Sequence, residues 1–257
     1  MEIQYPNFAR GRILKIGMLE NLRDFPRDAV DCFCETLSDG IVCGLSPIIR
    51  EDTITFSKGI LKHKGQPYVV SSLPKLNYGE TDTEVAIKLL FKEEEQLLDY
   101  KTQAIDLIID GRVQIKKDEI ELGRFKLKKG AYLRTNYQDL YDFTTEYNTV
   151  NLVQVLYAGY GQPTLSCQIM KYFAKAAMDL NTQNHLDISF CLLCLNSDRM
   201  ERDTILQYLM SRIDSQFAND PTNFDIHEQL VKALAVIKKE SSPRRRPPNQ
   251  KPKVLID

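Results

Sequence analysis

Glycine placement constrains this chain more than any other feature. Of its twelve glycines, eight fall between Asp39 and Thr145: Gly40, Gly44, Gly59, Gly65, Gly79, Gly111, Gly123 and Gly130. Glycine costs stability inside a helix and suits tight bends, so a stretch punctuated this often favours short strands and turns. The runs between the glycines agree. Thr53-Ile54-Thr55-Phe56 alternates polar and apolar residues. Gly59 to Gly65 followed by Pro67-Tyr68-Val69-Val70 reads as a hairpin turning at Lys64-Gly65. Ile120 to Leu127 alternates, and Lys129-Gly130 turns into Ala131-Tyr132-Leu133. Val85 to Phe91 and Ala104 to Ile109 are expected to pair as strands across the charged Lys92 to Glu95, with Glu93-Glu94-Glu95 in a solvated turn. Glu93 to Leu98 is also good helix composition, so strand or helix stays open for Val85 to Ile109.

The flanks follow a different period. In residues 1–38, Met18, Leu19, Leu22 and Phe25 recur at near-helical spacing, and Pro26 can start a further turn carrying Ala29, Val30 and Phe33. This segment is expected to be a helix, or a broken one, packed on the β-rich stretch after it. Residues 148–240 read as four helices. Thr164 is the expected cap of the first, Asp187 of the second, Ser197 or Asp198 of the third and Asp225, with Glu228, of the fourth. Ile188 to Leu195 is apolar nearly all round and is expected to be the buried helix of a small bundle. Residues 241–257 hold five basic side chains, one acidic and four prolines, a composition that cannot bury a core. The expected fold class is therefore α+β: an N-terminal helix, an antiparallel β-rich module over 39–147, a helical bundle over 148–240 and a disordered basic tail.

Length and charge bound the function. The 257 residues suffice for one large domain or two small ones. The net charge of -1 leaves no whole-protein footprint for nucleic acid or an anionic membrane. No run reaches the ~20 apolar residues of a membrane span. Met1 to Arg12 lacks the apolar core of a signal peptide, so a cytoplasmic location is the expectation. The six cysteines, Cys32, Cys34, Cys43, Cys167, Cys191 and Cys194, lie in apolar surroundings and read as buried free thiols.

The chain lacks the parts that catalysis needs. No Gly-x4-Gly-Lys-Ser/Thr phosphate loop occurs. Cys191-x-x-Cys194 lacks a second pair of zinc ligands and sits inside an apolar run, which fits neither a structural metal nor a redox pair. His63, His185 and His227 are far apart in sequence and are expected to face solvent. Tyr137, Tyr141, Phe143, Tyr147, Tyr157 and Tyr160 are interleaved with Asp139, Asp142 and Glu146, which suits packing at a module junction better than base stacking. No enzyme, cofactor or metal is expected. The basic Arg244-Arg245-Arg246 is the one place where nucleic acid or an acidic partner could be met electrostatically.

The segments Ser38 to Leu45, Ile54 to Ile60 and Lys64 to Tyr68 resemble a module of phage tail-fibre, baseplate and tail-like particle proteins. That pattern runs Gly-x-Val-x-Gly-Leu, then a strand ending Ser-Pro-Gly, then a hairpin with glycine and an aromatic. Lys58 stands where the pattern has proline. The resemblance covers about a quarter of the chain. It implies a non-enzymatic subunit that touches other tail or baseplate subunits, is oligomeric within the particle, and uses Gly40, Gly44, Gly59 and Gly65 as structural turns. A free-standing binding protein that uses the bundle and the basic tail is the alternative.

Overall fold

The computed structural model describes residues 4–217 and 220–241. The α+β expectation holds. A first helix, α1 (Ile16–Cys34), precedes nine strands: β1 (Gly40–Gly44), β2 (Pro47–Arg50), β3 (Thr53–Phe56), β4 (Gly59–His63), β5 (Gln66–Val70), β6 (Leu76–Asn77), β7 (Val85–Gln96), β8 (Lys101–Asp110) and β9 (Glu119–Phe125). A short 3-10 turn, Tyr141–Thr144, leads to α2 (Cys167–Asp179), α3 (His185–Asn196), α4 (Arg202–Ile213) and α5 (Asn223–Ser241).

The strands form three antiparallel sheets in the orders β1-β4-β5, β2-β3-β6 and β8-β7-β9. The β4–β5 hairpin turns at Lys64-Gly65 as expected. His63 pairs with Gln66, and the two turn residues have φ of +51° and +77°, the sign that a tight two-residue hairpin requires. Val85 to Ile109 is strand, not helix, but the acidic run is not a turn. Glu94, Glu95 and Gln96 pair with Gln103, Thr102 and Lys101, and the chain reverses after them. This end of the ribbon is open on both faces, so charged residues suit it, and Lys101 pairs with Glu94 at 2.9 Å.

The helical half also departs from the sequence reading in its caps and in which faces it buries. Ser166, not Thr164, caps α2 by accepting from the Gln168 N–H; the Thr164 hydroxyl instead donates to the Met200 carbonyl. Asn184 caps α3, which frees Asp187 for the bundle interior. Glu201 precedes α4 with no side-chain cap. At α5 a reciprocal pair forms between Thr222 and Asp225: the Asp225 N–H donates to the Thr222 hydroxyl at 3.2 Å, and the Thr222 N–H to the Asp225 carboxylate at 2.7 Å. The expectation that α3 is buried all round is corrected, because Leu192 and Leu193 are more than half exposed.

One apolar cluster runs through both halves, from Ile41 and Leu61 through Phe125, Phe143 and Phe173 to Leu230 and Ile237. The first helix stands apart from it. Among α1 residues only Cys34 is buried, and a small separate cluster joins Cys34 and Val30 to Leu37, Val42 and Ala158. The expectation that this segment packs on the β-rich stretch after it fails along most of its length.

Candidate functional site

The four glycines singled out from the sequence all fall in the β1-β4-β5 sheet. Gly44 pairs with Gly59 across β1 and β4, and the two backbones meet so closely that a side-chain carbon on either would overlap the opposite chain. Gly44 also has φ of +69°. A residue with a side chain is excluded there twice, by strain and by space. Gly40 begins β1 where a Cβ would lie 2.7 Å from the Leu156 carbonyl, which seats the strand against the turn before α2. Gly65 does hairpin work only, with open space around it. Gly40 and Gly44 thus lie within a strand carrying a bulge between Ile41 and Cys43 and do not form the bend before one.

Buried charges were not foreseen. Lys88, fully buried in the middle of β7, donates to Asp110 at 3.0 Å and to the Gln114 carbonyl at 2.9 Å, with Glu119 at 3.3 Å. Burial would raise the Glu119 carboxyl, but hydrogen bonds from Arg112, the Lys116 N–H and Lys88 outweigh it and hold it at about 2. Asp187, also fully buried, accepts from Thr182 at 2.9 Å, Tyr208 at 2.9 Å and Arg212 at 2.8 Å. These bonds tie α3 to α4, and Arg212 reaches on to Glu240 of α5. The only sequence signal for Lys88 was its place inside the apolar run Val85-Ala86-Ile87-Lys88-Leu89. Each cluster is internally satisfied, which makes it a strut and leaves no group free to act as base or nucleophile.

The two buried thiols of α3 give the same answer. Burial pushes Cys191 and Cys194 up to about 12, so neither is a thiolate near neutral pH. Not every cysteine is buried, contrary to expectation: Cys32 and Cys43 are exposed and all six are free. His185 faces solvent, but His63 and His227 do not. His63 stacks on Phe91 with ring centres 4.2 Å apart, and the His227 ring nitrogen lies 3.1 Å from the Leu140 carbonyl. Burial lowers both imidazoles. No group of three or more His, Cys, Asp or Glu is placed to hold a metal among the described residues.

Of the aromatic cluster, Tyr137 stacks on Phe143 at 4.0 Å and both meet Tyr172 edge-on, while Tyr141 and Tyr160 are open. A groove of about 720 Å³ crosses the junction of the two halves, with Asp39, His63 and Glu121 on the sheet side and Arg202 and Asn223 on the helical side. Its carboxylates are engaged by the chain itself: Asp39 accepts from the Lys64 and Gly65 N–H groups, and Glu121 from Arg124.

An open apolar surface lies along α1. Leu22, Phe25 and Phe33 are 57%, 60% and 67% exposed. Tyr5, Phe8, Ile13 and Leu14 extend the same exposure upstream. Arg244, Arg245 and Arg246 lie outside the described residues. No described helix is long and apolar enough to cross a membrane.

No family model matches this sequence, and no curated protein matches it. Solved structures align with it at low identity. A crystal structure of TssK aligns over 94% of this chain and 72% of its own, at 9% identity and a TM-score of 0.45. TssK from the type VI secretion system of EAEC, solved in complex with a nanobody, aligns over 88% and 69%, at 8% identity and 0.45. A chain of the type VI TssK-TssF-TssG baseplate subcomplex aligns over 93% and 100%, at 9% identity and 0.39.

Proposed function

We propose that this chain is a non-enzymatic structural subunit of a phage tail or phage-tail-like contractile baseplate, type VI-like baseplates included, acting through protein–protein contacts. The observation that carries the reading is the glycine-ordered sheet. Three glycines of the tail-protein resemblance are those on which the β1-β4-β5 geometry depends, with Gly44 set against Gly59 and Gly40 against the Leu156 carbonyl. Polar clusters that neutralise themselves and the protonated thiols of Cys191 and Cys194 suit a scaffold. On this reading residues 39–147 and 148–240 are its two modules, its partners are other baseplate subunits, and it is made in the cytoplasm and built into the particle.

The test is expression together with the neighbouring genes, followed by isolation of high-mass particles. The chain is expected to co-purify with sheath and tube proteins. A stable protein that never enters such particles contradicts the proposal.

A further inference from the structure

We propose that α1 is a self-association element, its open seam pairing with the same seam of a second copy of this chain. The inference stands on α1 alone and does not depend on the baseplate reading.

Met18, Leu22, Phe25, Ala29 and Cys32 follow one another at alternating steps of four and three residues. On a helix that spacing lines up one apolar seam, the repeat by which two helices interlock. Leu19 and Phe33 flank the seam. Val30 and Cys34 lie on the far side of the helix and meet the body there. The residues after the helix use only the face away from the seam, and upstream Tyr5 meets Phe25 edge-on at 6.3 Å while leaving it 60% exposed.

The helix needs a partner for its own stability. It has no side-chain cap at its start, no acidic residue in its first turn, no basic residue in its last, and Pro26 inside it. Pro26 divides it into two stretches, each shorter than the ~12–15 residues below which isolated helices are marginal in water. Packing along the seam is what the local sequence leaves to hold it.

The seam fits itself. Phe25 is its midpoint, so Phe25 meets Phe25 whether the two helices run parallel or antiparallel. Glu20, Arg23, Asp24, Arg27, Asp28 and Asp31 all fall off the seam, so identical copies meet there without like-charge contact. The exposed seam and flank side chains present on the order of 500 Å² of apolar surface per copy. With Ile13 and Leu14 this approaches the ~800 Å² per partner of a stable interface.

Sedimentation of the full chain over a dilution series tests this, wild type against the double variant Leu22→Asp, Phe25→Asp. Both positions are exposed, so the variant keeps the fold, which its thermal unfolding verifies. The wild type is expected to rise from monomer to a higher mass with concentration, and the variant's dissociation constant to be weaker by about 100-fold or more. A wild type that stays monomeric over the whole series overturns the proposal. So does an association that the double variant leaves unchanged, or a monomer whose seam instead captures a helix of a different subunit.

Discussion

Two helices of equal length, α1 and α5, show what a core does for a helix. Each spans 19 residues and each carries an apolar stripe. Helix α5 buries Ile226, Leu230, Ala233, Leu234 and Ile237, begins with the Thr222–Asp225 pair and ends on Lys238 and Lys239, where cations suit the helix C-terminus. Helix α1 buries Cys34 alone and lacks every one of these terminal devices. Their ion pairs differ as well. Arg23–Asp24 and Arg27–Asp31 on α1 are solvated, and such pairs contribute little. Arg212, buried beside Asp187, links the bundle interior to Glu240 on α5. An apolar stripe alone therefore does not say which molecule it packs against. The stripe of α5 belongs to this chain's core, and that of α1 is left for a surface outside it.

Substitutions can break this contrast. Asp187→Ala removes the shared acceptor of Thr182, Tyr208 and Arg212 and leaves the buried guanidinium with the exposed Glu240 alone. It is expected to cost about 3–5 kcal/mol in urea unfolding, and a change near zero would mean that the bundle does not depend on this tie. Leu230→Ala opens a cavity in the face of α5 that meets the core and is expected to cost about 2–5 kcal/mol. Thermal unfolding of the same variant should show a lower midpoint.

Acidity sharpens the contrast at intermediate size. His63 and His227 are buried with lowered pKa, so the unfolded chain binds protons that the folded chain refuses. Stability from these groups is full above the unfolded value of about 6.5 and is lost as pH falls below it toward the folded values. Urea midpoints should decline as pH drops through that window. His227→Gln should flatten the decline, while α1, which has no histidine, should contribute nothing to it. The smallest effect is expected at Leu22→Ala on α1, within about 0.5 kcal/mol for the dilute protein. A loss as large as that of Leu230→Ala would show that the α1 stripe is core after all.

Much of the fold was legible because alternation and glycine report local geometry directly. The turn at Lys64-Gly65 and the strands on either side of it follow from residues adjacent in sequence. What was missed depends on residues far away. Thr164 and Ser166 are both cap residues, serine the better one, and the Met200 carbonyl, brought in by folding, draws Thr164 away. The apolar run of α3 suggests burial on all sides, yet the bundle covers just the side of Phe190, Cys191 and Cys194. A lone histidine carries no sign of its neighbours, so Phe91 over His63 and the Leu140 carbonyl at His227 could not be anticipated. Charge in Glu93 to Gln96 suggested a turn because an open strand end and a turn tolerate the same residues. For the candidate site, only the turn at Gly65 was readable from its neighbours; that Gly40, Gly44 and Gly59 sit in strands at close backbone approaches depends on chain brought in by folding. The open face of α1 was not readable either, because periodicity is blind to the identity of the molecule that covers it.

Hydrogen–deuterium exchange tests the central claim most directly, measured on the dilute chain and again on the high-mass particle formed with its neighbouring gene products. The α5 amides are expected to be protected in both samples, and the α1 amides to exchange rapidly in the dilute chain and slowly in the particle. Protection of α1 equal to that of α5 in the dilute chain, or α1 amides that exchange as fast in the particle as outside it, would mean that the α1 face has no partner outside this chain.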